Sequence, residues 1–293
     1  MNTPTATNEV RHHPSYLRVF ATFARNSLIR DMTFRSNFVI EMISSMGWMC
    51  MNLGFYILIF SYVDSIGANT GWGKFQFFIF FATTILINSL VQAFFMPNAE
   101  EFSELIRTGN LDFALLKPID TQFLISLHKV HWSGLGNTGF GLCLLSYSLW
   151  KLYVTEGIHP APIQFVLYPF YVVCGVLILY SLMIGLASSS VWLGRNQSLY
   201  NFWFYITNFS RYPMEIYDGP GRRGAVGRGL RQFFSFVIPV LLAVNIPARL
   251  MAWPLAANNW RLAAFTLLAT FASLWLSRRI FYWALKSYRS ASS

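Results

Sequence analysis

Charge is scarce in this sequence. Asp, Glu, Lys and Arg make up 12% of its 293 residues, against about 25% in soluble globular domains. A water-soluble fold with so few charges could not cover its own surface. Acidic residues are the rarer kind, 12 against 22 basic, for a net charge of +10. Nucleic-acid binding would need the basic residues gathered on one face, whereas here they stand between apolar stretches. Cys50, Cys143 and Cys174 all lie inside such stretches with no metal-ligand spacing between any pair, which argues against a disulfide framework and a zinc site. No cluster of His, Asp or Glu supplies what a hydrolase or transferase needs, so a membrane enzyme ranks last among the functional readings. The glycine-rich run from Gly221 to Gly229 lacks the Gly-Lys-Ser/Thr ending of a phosphate loop and follows no strand pattern. It reads as a flexible connector, and no ATPase site is expected in this chain. The first 37 residues are too polar, and the first apolar stretch too long, for a cleavable signal peptide. His12 and His13, in that polar leader, read as a solvated pair.

What the chain has instead is apolar length. The apolar set reaches 55%, mean hydropathy is +0.43, and 28 Phe, 14 Tyr and 10 Trp suit aromatic belts at two membrane–water interfaces. A hydrocarbon core of ~30 Å takes ~20 helical residues to cross. Residues 38–62, 75–96, 134–152, 164–193 and 261–283 meet that length. The region 196–255 holds a strongly apolar run, 233–252, and an aromatic one, 197–213. The expectation is an all-α polytopic membrane protein, with a leader over 1–37 and a single transmembrane domain over 38–293.

Orientation follows from the basic residues. Arg11, Arg18, Arg25, Arg30 and Arg35 precede the first crossing; Arg107, Lys117 and Lys129 follow the second; Arg278, Arg279, Lys286 and Arg289 follow the last. The other two short loops carry only Lys74 and Lys151. Both termini are therefore expected in the cytoplasm, with an even number of crossings in the inner (plasma) membrane. Within the leader, Tyr16, Leu17, Phe20, Phe23, Ala24 and Leu28 recur at helical spacing with Arg18, Arg25 and Asn26 on other faces. That pattern describes a helix lying in the membrane interface; the alternative is a cytosolic helix packed on a partner.

Polar residues inside the crossings are few. Glu41 is an acid about one turn inside the first, where Arg35 or the aqueous edge could satisfy it. An ionisable group at such a place is a functional candidate. Asn52, Asn88 and Gln92 lie deeper, for interhelical hydrogen bonds or a translocation path. Gly134, Thr138 and Gly141 share a face, as do Gly185 with Ser189 and Ser190 with Gly194, spacings that permit close helix contact. His128 and His131, without carboxylate or Cys neighbours at ligand spacing, read as interfacial polar residues.

The most informative stretch is the polar loop 97–122. Pro97 followed by Glu100 and Glu101 is a helix start. Gly109 and Asn110 stop that helix, and Leu111 to Leu116 form a short second one closed by Pro118. The product is a helical knob with one apolar and one charged side. Phe102, Leu105, Ile106, Leu111, Phe113, Leu115 and Leu116 are too many apolar residues for a loop that touches nothing, and a docking surface is expected.

The run Arg107-Thr-Gly-Asn-Leu-Asp-Phe-Ala-Leu-Leu-Lys-Pro118 resembles the G-x-L-D-x-x-L-L-[KR]-P stretch of ABC-2 type permeases, the membrane subunits of one class of ATP-driven exporters. Phe209-Ser-Arg-Tyr-Pro213 and the segment Phe236 to Arg249 resemble that family's fifth crossing and re-entrant hairpin. The resemblance implies six crossings, with 197–213 as the fifth and 233–252 as a hairpin broken near Pro239 and Pro247, Asn245 between them. It implies an exporter permease, paired with a second permease subunit as homodimer or heterodimer and driven by separate ATPase subunits that hold the ATP and magnesium. The chain itself would need no cofactor. It further implies a coupling helix between the second and third crossings, with apolar anchors at Phe102, Leu105, Ile106, Leu111 and Phe113. Glu101, Glu104, Arg107 and Asp112 would make its charged contacts, and Gly109, Leu116, Lys117 and Pro118 complete the motif. Hydropathy alone would instead make 233–252 the fifth crossing. A reading of another class, a membrane scaffold or assembly factor without transport, stands beside the exporter; it would need no apolar knob.

Overall fold

The computed structural model describes residues 15–67, 70–193, 197–218 and 221–288. Arg11, His12, His13, Gly194 and Arg289 lie outside these, as do the side chains of Arg222 and Arg223. The described residues are helical, with Ser65 and Gly73 forming an isolated antiparallel bridge rather than a strand. The helices are α1 (Tyr16–Thr33), α2 (Arg35–Ile59), α3 (Lys74–Phe94), α4 (Met96–Thr108), α5 (Leu111–Leu115), α6 (Thr121–Leu127) and α7 (Leu135–Glu156). They continue with α8 (Pro162–Ser188), α9 (Ser190–Leu193), α10 (Gln197–Asn208), α11 (Gly221–Gln232), α12 (Val240–Ala252) and α13 (Trp260–Ser287). Short 3-10 turns span Phe209–Arg211, Met214–Tyr217 and Leu255–Ala257.

Four helical stretches are long and apolar enough to cross a membrane: Arg35–Ile59, Lys74–Thr108, Pro162–Leu193 and Trp260–Ser287. The pair Gly224–Val237 and Val240–Ala252, bent by 89°, would add a fifth if it were one broken span. α7 has the length, about 33 Å at 1.5 Å per residue, but Asn137, Thr138, Ser146, Ser148 and Lys151 thin its apolar content. α10 rises only about 18 Å, less than the hydrocarbon core.

α3 is the central element, packed along α7, α8 and α12. The most apolar window of the α3–α4 rod is 78% buried, while that of α2 is 6% buried, so α2 stands at the rim. The α3–α7 contact is close because α7 turns its small residues toward α3: a Cβ on Gly141 would sit 3.1 Å from Leu86 and 3.2 Å from Ile85. The hydroxyls of Ser89 and Thr138 meet at 2.7 Å across the same seam. On α8 the close crossing falls elsewhere than expected. Gly185 has open space where a side chain would be, whereas a Cβ on Gly175 would run into the carbonyl of Ala243 on α12.

That carbonyl explains Pro247. The expected break there is absent: Pro247 lies inside a continuous α12. Its missing N–H leaves the Ala243 carbonyl without its helical donor, and that oxygen is the one set against the Gly175 backbone. The chain breaks instead at Ile238 and Pro239, after a π-helical turn over Phe233–Val237. Every residue of α12 except Arg249 is buried. Asn245 is a structural tie, accepting from the Met214 N–H at 2.8 Å and donating to the Leu241 carbonyl at 2.8 Å. At the far end of α12, Gln164 of α8 donates to the Leu250 and Trp253 carbonyls. Arg231, at the end of α11, and Arg249, near the end of α12, line one cavity with Asn258 and Asn259. The glycine-rich run is helix α11 rather than a flexible connector; Gly227 packs so close to the Tyr217 carbonyl that no side chain would fit.

Candidate functional site

Two regions collect the residues singled out from the sequence. The first is the knob built from α4, α5 and α6. Phe95 alone separates α3 from α4, so α4 projects from α3 as a continuation of the same rod. Pro97 occupies the first turn of α4, and Gly109 ends it in the left-handed conformation, φ 73°, which costs a glycine least. Asp120 caps α6 by accepting from the Phe123 N–H at 2.9 Å.

The knob has an inside and an outside. Phe102 and Leu111 have no exposed surface; the Phe102 ring packs 5.6 Å from that of Phe281 on α13. These two are therefore not free docking anchors: the face of α4 turned toward α13 and α8 is buried by the chain's own bundle. Leu105 and Ile106 are half-buried. Phe113 at 68%, Leu116 at 81% and Leu115 at 39% exposure form the outward apolar surface. Lys117 and Pro118 are exposed beside them, and Asp112 is half-buried. Arg107 donates to Glu104 at 2.8 Å on the outer side of α4. Glu101 faces inward, 2.8 Å from Lys129 Nζ and 3.6 Å from His128.

α6 fastens the knob to the bundle. Burial pushes the Asp120 carboxyl up, but the Phe123 N–H, Arg278 and Tyr282 outweigh it and hold the group below its ordinary range. Arg278 and Tyr282 each donate to Asp120 at 2.9 Å. Gln122 donates to the Tyr180 hydroxyl at 3.0 Å, and Ser126 meets the same oxygen at 2.8 Å. α1 straps the knob on the other side: Tyr16 packs on Phe123 at 4.8 Å and Phe23 on His128 at 5.1 Å. The Val130 N–H donates to Ser27 at 3.1 Å, and the Trp132 indole N–H to the Ala24 carbonyl at 3.0 Å. Part of the apolar stripe of α1 thus covers this chain, while Leu17 is 79% exposed.

The second region is a cleft between α2, α3, α7 and α10, with about 800 Å³ of space including its open mouth. Asn52, Asn88 and Gln92 all line it. Thr84, Asn88 and Gln92 recur every four residues and so form one stripe of α3. Asn137 and Thr207 also line the cleft, from α7 and α10, as does Arg211 beyond them. The amides of Asn52 and Asn88 bond within their own helices rather than between helices. Glu41 belongs elsewhere. Its charged neighbour is not Arg35 but His131, at 3.0 Å, in a separate cavity with Arg30, Asp31 and Ser133, and its side chain is 44% exposed. The two histidines thus gain carboxylate partners that sequence spacing did not reveal. Among the described residues, no three of His, Cys, Asp and Glu come together as a metal site.

The profile of one protein family, described as ABC-2 family transporter protein, matches residues 46–292. The chain belongs to this family. Comparison with curated proteins and comparison with solved structures each gave no match. The ABC-2 match covers the knob, the cleft and the bent α11–α12 pair, and begins within α2, after α1. The protein is accordingly an ABC-2 type membrane permease, of a family whose members serve ABC transporters as non-enzymatic membrane subunits alongside ATPase subunits. Within this permease, sequence reasoning missed the seats of the knob, Phe281 and Tyr180, and the cleft residues Asn137, Trp203, Thr207 and Arg211. The four-residue stripe on α3 was a usable signal for Thr84; nothing local marks the others.

Proposed function

We propose that this permease forms the translocation path of an ATP-driven exporter and is worked from below by separate ATPase subunits gripping the knob. The observation that carries this reading is the split character of the knob. Its inner face is locked to α13 through Phe102–Phe281 and Asp120–Arg278 and to α8 through Gln122–Tyr180, and its outer face presents Phe113, Leu115 and Leu116. A partner that seats those three residues and moves the knob would move α13 and α3 with it. A ligand shifts such an equilibrium only through contacts that differ between the two states, so the seat must hold firmly. Glu104 and Arg107 stand at its edge for charged contacts, and ATP with magnesium would reside in the partner. In this reading α2, α3, α7, α8, α13 and the short α10, extended by the 3-10 turn Phe209–Arg211, are the six crossings, both termini are cytoplasmic, and a second permease, identical or homologous, completes the path in the inner membrane.

The α11–α12 pair is then a hairpin entering from the far side. Eighteen helical residues would separate Arg231 from Arg249 by about 27 Å in a straight span, yet both line one cavity. Backbone that turns inside a membrane needs protein cover, and α12 has it on nearly every side.

The test is co-purification with the ATPase. Phe113→Glu and Leu116→Glu together should abolish capture of a Walker-motif subunit while leaving membrane insertion and helix content unchanged. Retained capture and ATP hydrolysis in the double variant would overturn the docking assignment.

A further inference from the structure

The elbow between α1 and α2 encloses a cavity for which neither the knob nor the cleft accounts. Arg30 and Asp31 reach it from the end of α1, Asn37 and Glu41 from the start of α2, and His131 and Ser133 from the linker before α7. With its open mouth it holds about 830 Å³. Its level is that of a membrane surface. The 21 residues of α3 rise about 31 Å, the thickness of a hydrocarbon core. At the knob end of that span the His131 N–H donates to the Ala93 carbonyl at 2.8 Å, and Phe20 of α1 packs 6.3 Å from Phe94. The cavity therefore lies where lipid headgroups begin. Its α2 wall is nearly bare of protein, with Val39, Ile40 and Ile43 exposed around Glu41. An acid on such a helix is costly unless another polar group meets it.

The charges on the wall do not balance. Two carboxylates share one guanidinium, and that pair is loose: Arg30 Nε stands 3.8 Å from Asp31, beyond hydrogen-bond reach. The other Asp31 oxygen accepts from the Trp132 N–H at 3.3 Å. Glu41 has His131, whose Nε2 lies 3.0 Å from one carboxylate oxygen and 2.9 Å from the Ser133 hydroxyl. A carboxylate only accepts, so Nε2 carries its proton toward Glu41, a hydrogen bond that an imidazole gives without any charge. The complement still wanted is a small cation with several N–H groups, a primary ammonium. Arg30, loosely held and half exposed, is left to meet an anion. A lipid head that carries both charges is phosphoethanolamine. Choline brings the charge without N–H groups for the carboxylates, and a glycerol head brings no cation. Phe34 and Phe38 line the same cavity and offer apolar surface to the glycerol end of the chains. We infer that the α1–α2 elbow binds the phosphoethanolamine head of a membrane lipid, its ammonium at Glu41 and Asp31 and its phosphate at Arg30. That the leaflet is the cytoplasmic one rests on the orientation proposed above; the binding itself does not.

The experiment uses the full chain in dodecyl maltoside, given equal amounts of dioleoyl phosphatidylethanolamine, phosphatidylcholine and phosphatidylglycerol and read by native mass spectrometry. Phosphatidylethanolamine should be retained roughly tenfold over the other two, since one charge-assisted hydrogen bond is worth about that factor. Glu41→Gln should bring its retention down to that of phosphatidylcholine, helix content by circular dichroism being unchanged. Arg30→Gln should weaken phosphatidylethanolamine while dodecylammonium, which has no phosphate, is held as in the parent. Soluble glycerophosphoethanolamine at equal concentration should not displace the lipid; displacement would assign the site to the free head and overturn the lipid. The inference also falls if phosphatidylcholine or phosphatidylglycerol is retained as well as phosphatidylethanolamine, or if Glu41→Gln leaves the preference intact. It falls too if the lipid stays on monomers and is lost from dimers, which would give the cavity to a second copy. Because no ATPase is present, a failure here is separate from failure of the ATPase capture: either can fall while the other stands.

Discussion

The rings of Phe102 and Phe281 lie 5.6 Å apart at an interplanar angle of 40°, and neither has exposed surface. This contact joins the knob to the last long helix, so displacement of α4 is felt along α13. Phe102→Ala should cost roughly 3 kcal/mol of stability, as truncating a buried phenylalanine does. Phe113→Ala, at an exposed position, should cost less than about 0.5 kcal/mol. Thermal unfolding of the purified protein checks both; the reverse order would mean the two faces of the knob have been exchanged.

Asp120 should confer an acid sensitivity. Its carboxyl is held below the ordinary range by the Phe123 N–H, Arg278 and Tyr282, against the opposing effect of burial. A depressed carboxyl stabilises fully above the unfolded value, about 3.9, and that contribution is lost as pH falls through the folded one. Asp120→Asn keeps the helix cap and removes the charge, so it should lower stability by about 1 kcal/mol at neutral pH. The melting temperature of the variant should then fall less steeply than that of the parent as pH drops below about 4. Parallel curves would assign the acid loss to other groups.

Gly175 and Gly185 offer a matched comparison on one helix. Adding a methyl at Gly175 drives it into the Ala243 carbonyl, while at Gly185 nothing lies within 4 Å. Gly175→Ala should destabilise by about 1–3 kcal/mol through overpacking. Gly185→Ala should be neutral or stabilising by up to about 1 kcal/mol, from helix propensity. Denaturation of the two variants side by side reads the difference, and equal effects would contradict a close α8–α12 crossing.

Glu215 holds the turn before α11 in place. It accepts from the Trp72 indole N–H at 2.8 Å and pairs with Arg249, which itself lies 5.0 Å over the Trp253 ring. Glu215→Gln keeps an acceptor for Trp72 but removes the charge partner of Arg249, at a cost of about 1–3 kcal/mol. Amide exchange over residues 214–252 should accelerate, with residues 96–127 unchanged. Unaltered exchange at 214–252 would show that burial of α12 alone secures the bent α11–α12 pair.

Much of the helical layout was legible because apolar length and helix punctuation are local properties. Pro97 and Gly109 bound α4 in the sequence as they do in space, while α6, which fastens the knob, lies beyond Pro118 where no helix was expected; the basic residues that set the expected orientation need no partner to be read. Asn88 and Gln92 stood out as polar groups deep in an apolar stretch, and both line the cleft, though the Asn88 amide bonds within its own helix rather than between helices. Proline was the weaker guide. Pro239 marks a real break, but Pro247 does not, since a lost helical hydrogen bond breaks a helix only where the surroundings leave the freed carbonyl uncovered.

The chain by itself determined that it is a helical membrane protein with an amphipathic elbow after its second apolar stretch, because hydropathy and capping depend on residues within a few turns of each other. Which side of that elbow faces outward was decided only by tertiary structure. Phe102 and Phe113 look alike in sequence; α13, arriving some 180 residues later, covers one and leaves the other bare. The pairing of Glu41 with His131, and the gathering of Asn52, Asn88 and Asn137 around one cleft, have the same origin. They depend on which helices touch, and no short-range pattern encodes that.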